Sequence, residues 1–406
     1  MTIARGAIAA TDRPAIDGGT PVRREMLPFT RATFGREEEV AVVETLRSGW
    51  IATGPRAERF EKALATVAGA EHGVAVGSCT AALHLLLRAA GVGPGDEVIT
   101  SSMTFPATAN AILHAGGTPV IADVLPDSLT LDPRAVEAAV TERTRVILPV
   151  HYAGWPCEMD ELCEIAARHG AVVIEDAAHA LGAEYRGRPA GSLGDGAAFS
   201  FYATKNITTG EGGMITTDRA DWVEHLRTER LHGIDIDASQ RDGEDYRHWE
   251  AVTLGWKYNL NDIAAAIGLA QLEKLPDILA RRRKLDAAYR EALAGQDVFV
   301  PVAGADHMLT AAHIFPLVLR PGALRLSRDQ ILQALIAERI GVGVHFRALA
   351  EHRYFRDVLG WRPEKTPVAS SASTGLFSIP LYPDLTDAEQ EEVLEALFRI
   401  ARFHAA

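Results

Sequence analysis

An α/β fold is predicted, with a mostly parallel central sheet covered by helices on both faces and a smaller C-terminal α/β domain. Three observations predict it. Short apolar runs alternate with helix-spaced segments through roughly the first two-thirds of the chain. Those runs are continuous rather than alternating, the pattern of strands buried on both faces. Beyond Ile263 the pattern changes to long helices and then to shorter strands.

The elements follow in order. The first 34 or so residues show no sustained period and hold Gly18, Gly19 and Pro21, so an irregular arm is expected. Helical spacing starts near Glu37, with Val40, Val43 and Leu46 on one face. Val74–Gly77 reads as a strand and Thr80–Ala90 as a helix with Leu83, Leu86 and Leu87 inward. Gly91, Gly93, Pro94 and Gly95 break that helix. Strands are then expected at Glu97–Ser101, Pro119–Asp123, Arg145–His151 and Ala171–Glu175. Helices are expected between them at Ala107–His114, Asp132–Val140 and Met159–His169. Asp132 and Pro133 give cap and first-turn signals. Long helices run through Gln271–Leu293, where the basic run Arg281–Lys284 reads as a solvated helix face, and a last helix covers Asp387–Phe403. The expected domains are an arm (1–35), a large domain (36–262), and a linking helix with a small C-terminal domain (263–406).

Composition bounds the function. Hydrophobic residues make up 47% and charged residues 23% of 406, as in a soluble globular enzyme. The net charge of −13 disfavours nucleic acid and anionic membranes as partners. Cys79, Cys157 and Cys163 have no metal-ligand spacing and read as reduced thiols of a cytoplasmic protein; no metal site is expected. The N-terminal segment lacks a signal-peptide core. Val98–Ala122 carries no Asp, Glu, Lys or Arg, but Pro106, Asn110, Gly116, Gly117 and Pro119 interrupt it, so strand, helix and strand inside a domain is the better reading. No phosphate-loop, nucleophile-elbow or zinc-protease pattern occurs. Asn206-Ile207-Thr208 fits a glycosylation pattern but is discounted because it adjoins the lysine described next.

The chemistry centres on Lys205, in FSFYATKNITTGEGGM (Phe199–Met214). A buried strand runs into a polar turn that presents one lysine, and Gly210, Gly212 and Gly213 precede a second apolar run. Upstream, VVIEDAA (Val172–Ala178) is an apolar strand ending in Glu175 and Asp176. A partly neutral lysine can form a Schiff base with an aldehyde, and a strand-end carboxylate can keep a pyridine nitrogen protonated. Together these suggest pyridoxal 5′-phosphate. An exposed turn lysine and a capping carboxylate are the plain alternatives.

Nearly the whole chain resembles the DegT/DnrJ/EryC1/StrS sugar aminotransferases, pyridoxal phosphate enzymes of fold type I. The resemblance is carried in order by SGWIATGP (Ser48–Pro55), GSCTAALHLLL (Gly77–Leu87), TFPATANAI (Thr104–Ile112), EDAAHALGAEYRG (Glu175–Gly187), the lysine segment, LGWKYNLNDIAAAIGLAQL (Leu254–Leu272) and IPLYPDLTDAEQ (Ile379–Gln390). It implies that Lys205 and Asp176 are catalytic and that His179 contacts the cofactor's 3′-oxygen. It implies phosphate binding by Ser78, Cys79 and Thr80 at a helix start, where amides and dipole favour an anion, although many relatives carry Asn-Gly-Thr there. Ser200 matches the family's phosphate serine, Phe105 its ring-stacking aromatic, and Asn259 an asparagine that reaches the neighbouring subunit's phosphate. On the substrate side it points to Trp50 and Thr53, to Tyr202 where several relatives have His, and to His345 and Phe346 in GVGVHFRAL.

The resemblance further implies transfer of an amino group from L-glutamate or glutamine to a nucleotide-linked keto-sugar, at C4, by ping-pong logic in a homodimer with a shared active site. Amination at C3 or of a cyclitol ketone, sugar dehydration, and a non-catalytic regulatory use of the scaffold stay open.

Overall fold

The computed structural model describes residues 13–236 and 248–406; the first twelve residues of the expected arm lie outside them. Helices α1 (Arg36–Ser48) and α2 (Pro55–Ala68) lead to strand β1 (His72–Val76) and helix α3 (Cys79–Ala89). Then β2 (Glu97–Ser101), α4 (Pro106–His114), β3 (Thr118–Ala122), α5 (Pro133–Ala139), β4 (Thr144–Leu148), α6 (Met159–His169) and β5 (Val172–Asp176) alternate. A small hairpin, β6 (Glu184–Tyr185) and β7 (Arg188–Pro189), precedes β8 (Gly196–Ser200), β9 (Gly213–Thr217) and α7 (Ala220–Glu229). The C-terminal part holds α8 (Asp262–Glu273), α9 (Leu275–Ala292), β10 (Phe299–Pro301), β11 (Met308–Leu309), β12 (Phe315–Leu319), α10 (Arg328–Ala337), α11 (Arg353–Val358), α12 (Pro367–Gly375), β13 (Leu376–Ile379) and α13 (Asp387–Phe403).

Among the described residues the central sheet has seven strands in the order β1-β9-β8-β5-β4-β2-β3. The β2–β3, β2–β4, β4–β5 and β5–β8 pairs are parallel, and β9 runs antiparallel to both β8 and β1. The continuous apolar runs explain this architecture, since β2 and β9 are buried at every position. Helix starts follow local chemistry: Ser78 caps α3, Asp132 caps α5, and Ser327 and Thr386 form capping boxes with Gln330 and Glu389. Val98–Ala122 is the strand, helix and strand expected, and no helix among the described residues is long and apolar enough to cross a membrane.

A second sheet, β10-β12-β13, packs Phe299, Phe315 and Phe377 into its own core with Leu397 and Ile400 of α13. Leu27 of the arm is buried in this core, and its N–H donates to the Arg339 carbonyl. Fully buried Glu338 accepts the Ala15 and Val22 amides at 2.8 and 2.7 Å, so the arm is tied to the C-terminal layer by a carboxylate.

Val40, Val43 and Leu46 share a face of α1 as expected, and that face is exposed in the single chain, while Glu38 and Thr45 point into the protein. One expectation is corrected. The basic run on α9 is not wholly solvated, because Arg282 is only 2% exposed and donates to the carbonyls of His313 and Leu381. A helix advances about 100° per residue, so four consecutive side chains cannot all face water.

Candidate active site

The parallel strands end at one edge of the sheet, where open α/β folds bind their ligands. Asp176 closes β5. Its N–H donates to the Pro149 carbonyl at 2.8 Å, and its own carbonyl accepts from His151 N–H at 3.1 Å. The carboxylate is 5% exposed and accepts Thr108 Oγ1 at 2.8 Å and the Ala178 amide at 3.2 Å. Burial pushes its pKa up, against the pull of these two donors and of Lys205.

Lys205 lies across a cavity of about 450 Å³ from this strand end, and both residues line it. The loop that carries it is closed on itself: Lys205 N–H donates to Tyr202 O at 2.9 Å, Thr209 N–H to Phe201 O at 3.0 Å, and Phe201 N–H to Gly212 O at 2.9 Å. Burial lowers the Lys205 pKa to about 8, with Cys79 and Asp176 opposing it, so roughly a tenth of the amine is neutral at pH 7, far more than for an ordinary lysine.

The third wall is the start of α3. Ser78 Oγ accepts the Ala81 amide at 3.1 Å, which leaves the first amides, at Cys79 and Thr80, without intrahelical acceptors. Ser78, Cys79, Thr80 and Ser200 all line the cavity. β9 presses against this turn so closely that a Cβ on Gly213 would sit 2.5 Å from the Ser78 carbonyl carbon and 2.7 Å from Cys79 N. Only glycine permits that approach.

Histidines and aromatics close the remainder. His179 is buried with Nδ1 unpartnered, stacks on Phe346 with ring centres 5.6 Å apart, and lies 4.4 Å from the His313 ring. Burial first, then Lys205, pushes the His179 pKa well down, so the ring is neutral. His345 donates to or accepts from Ser378 Oγ at 3.1 Å and stacks on Phe29 of the arm; burial lowers its pKa to about 4. Phe105 and Tyr202 line the cavity and are 59% and 49% exposed.

Trp50, Thr53 and Asn259 do not line this cavity. They form a separate knot: Trp50 Nε1 donates to Thr53 O at 3.1 Å, Thr53 Oγ1 to Leu260 O at 2.6 Å, and Asn259 Nδ2 to Thr53 Oγ1, with Asn259 Oδ1 buried and unpartnered. Sequence reasoning missed Thr108, His313 and Arg282. Thr104, just before α4, and Thr108, on its first turn, are four apart and joined at 2.7 Å and carried a readable signal; His313 carried none.

Pyridoxal phosphate fits this cavity. The amide-rich helix start with its glycine-dependent close approach suits a phosphate, and a buried carboxylate, a partly neutral lysine and an orphaned histidine nitrogen face the same space.

A family model described as the DegT/DnrJ/EryC1/StrS aminotransferase family matches residues 33–398. The chain is 42% identical over 382 residues to the spore coat polysaccharide biosynthesis protein SpsC of Bacillus subtilis, covering 94% of this chain and 98% of that one. Spr1654 of Streptococcus pneumoniae in its PMP form superposes with a TM-score of 0.87 at 33% identity, over 92% of this chain and 99% of that one. Its PLP form matches at 0.86. The sugar aminotransferase CalS13 of Micromonospora echinospora gives 0.82 at 31% identity, over 92% and 99% of the two chains. From this extent of likeness, the chain belongs to the DegT/DnrJ/EryC1/StrS aminotransferases of fold type I, and its cofactor is pyridoxal phosphate.

Proposed function

We propose that this chain moves an amino group from L-glutamate or glutamine to C4 of a nucleotide-linked keto-sugar. The observation that carries the reading is the pairing, across one cavity, of the buried Asp176 carboxylate with a Lys205 amine whose pKa is lowered to about 8. When bound, the cofactor supplies the carbonyl that takes up the amino group and the electron-withdrawing ring that eases proton removal.

The chain's own residues do the rest. Lys205 would hold the cofactor and would carry a proton away and return it. Asp176 would keep the ring nitrogen protonated, with Thr108 holding the carboxylate in place. His179 would serve the 3′-oxygen, Phe105 would pack on the ring, and the α3 amides with Thr80 and Ser200 would receive the phosphate. Tyr202, His345 and Phe346 face the arriving sugar. Donor product leaves before the keto-sugar enters, giving ping-pong kinetics.

The names of SpsC and CalS13 support a sugar acceptor. The runs KNITTGEGG and KYNLNDIAAAIG support C4, by resemblance. The exposed apolar face of α1 supports a homodimer, in which Trp50, Thr53 and Asn259, which do not line their own cavity, serve the partner's. Three unpaired thiols fit the reducing cytoplasm.

The test is the absorbance spectrum of the protein with pyridoxal phosphate, before and after L-glutamate. Loss of the Schiff-base band and growth of a pyridoxamine band is expected. A band indifferent to glutamate and glutamine would overturn the donor assignment, and no band at all would overturn the role of Lys205.

A further inference from the structure

His313 sits on a strap that the fold holds in an unfavourable shape. Ala312, just before it, has φ +46°, a left-handed conformation that non-glycine residues adopt only when their surroundings impose it. Here they do. Ala311 N–H donates to Gly154 O at 3.0 Å, Thr310 Oγ1 donates to the same carbonyl at 3.2 Å, and Ala312 N–H donates to Thr310 Oγ1 at 3.0 Å. From the other side, buried Arg282 donates to the Ala312 and His313 carbonyls at 3.4 and 3.1 Å.

The strap delivers a ring to the residue after the lysine. Asn206 Nδ2 donates to Ala311 O at 2.8 Å, so Oδ1 is the atom facing His313 Nδ1 at 3.1 Å. An amide oxygen only accepts; His313 therefore carries its proton on Nδ1. Burial, followed by His179, Lys205, Arg282 and His345, pushes its pKa well down, so the ring is a neutral donor. The same ring packs 4.4 Å from His179, and both line the cavity.

We infer that His313 is a positioning residue that sets Lys205 through Asn206 and His179 through ring contact. This deepens the proposed reading and rests on Lys205 as the residue that captures the cofactor. The strained strap, the buried arginine and the oriented amide converge on one donor beside the lysine.

The experiment follows growth of the Schiff-base band when apoprotein is mixed with pyridoxal phosphate. His313→Leu keeps bulk and removes the donor. It is expected to slow band growth about tenfold, the factor equivalent to ~1.4 kcal/mol, in protein that is still folded by its thermal melt. His313→Asn places an amide nitrogen where Nδ1 stood and is expected to return the rate to within about threefold, as a restored neutral hydrogen bond allows. Asn206→Ala removes the acceptor, must slow the reaction like His313→Leu, and must add nothing when combined with it; it carries the test should His313→Leu fail to fold. Parental band growth in folded His313→Leu or Asn206→Ala would overturn the inference while leaving the role of Lys205 standing. A parent without a band would overturn both.

Discussion

Thr108 Oγ1 donates to Asp176 Oδ2 across 2.8 Å, and Thr104 Oγ1 lies 2.7 Å behind it, so the first turn of α4 holds the strand-end carboxylate in place. Burial alone would favour the protonated acid, and the Thr108 donor works against that. Thr108→Val keeps the shape and deletes the hydroxyl. A hydrogen bond to a charged group contributes about 1.5–3 kcal/mol, so kcat is expected to fall roughly 10- to 100-fold. Thr108→Ser should restore most of it. Steady-state kinetics check this; KM for the donor should change little, because in the proposed mechanism the carboxylate acts on the cofactor rather than on the donor.

The lowered Lys205 pKa gives a pH signature. In the proposed reaction the neutral amine is the nucleophile, and its fraction grows as pH rises toward about 8 and levels off above it. Capture of pyridoxal phosphate by the apoprotein should therefore rise about tenfold per unit below pH 8 and plateau near 9; a lysine of ordinary pKa would keep rising past 10. Lys205→Ala should show no band and no turnover at any pH. The same shift makes the folded apoprotein bind fewer protons than the unfolded chain between about pH 8 and 10.5. Lys205 thus adds stability that grows as pH rises through that window, which thermal melts in matched buffers would reveal.

Gly213→Ala tests the phosphate cradle. The added methyl would meet only backbone, at Ser78 and Cys79, and backbone cannot rotate away. Overpacking of this kind costs about 1–3 kcal/mol and should displace the start of α3, lowering the thermal midpoint and weakening cofactor affinity about tenfold or more. Gly93→Ala is the control, since a Cβ there meets nothing within 4 Å. Fluorescence titration with pyridoxal phosphate separates the two variants.

Lys205 and Asp176 were legible because each sits at the end of a buried apolar run, and the chain direction in a parallel sheet brings such ends to one edge. The α3 cradle was legible from a strand, a short turn and a helix start. Arg282 was misread because a charge run announces solvent while helical rotation turns one of its four members inward. The stripe Val40, Val43 and Leu46 carried the right period but no sign of what covers it; in the single chain it faces water. His313 gave no signal because its place depends on a left-handed residue and on an arginine about thirty positions away, neither of which leaves a local pattern. Trp50 and Thr53 were singled out as a substrate-side segment and Asn259 as a residue reaching a neighbouring subunit's phosphate, and no spacing showed that they meet in one knot or whose cavity they serve.

Complementation decides that question. Asn259→Ala should weaken cofactor binding in the protein made of that chain alone, and Lys205→Ala should be inactive. In a hybrid of the two, the proposed shared site predicts that the intact lysine on the Asn259→Ala chain receives Asn259 from its partner, so one complete site should form. Random pairing in a two-fold dimer makes about half of the dimers hybrids with one working site in two, so the mixture should recover about a quarter of parental activity. The knot of Thr53 and Asn259, which does not line its own cavity and leaves Asn259 Oδ1 unpartnered, is the physical reason to expect recovery. No gain on mixing, with subunit exchange verified by mass, would mean that each chain completes its own site. The exposed stripe on α1 would then need another explanation.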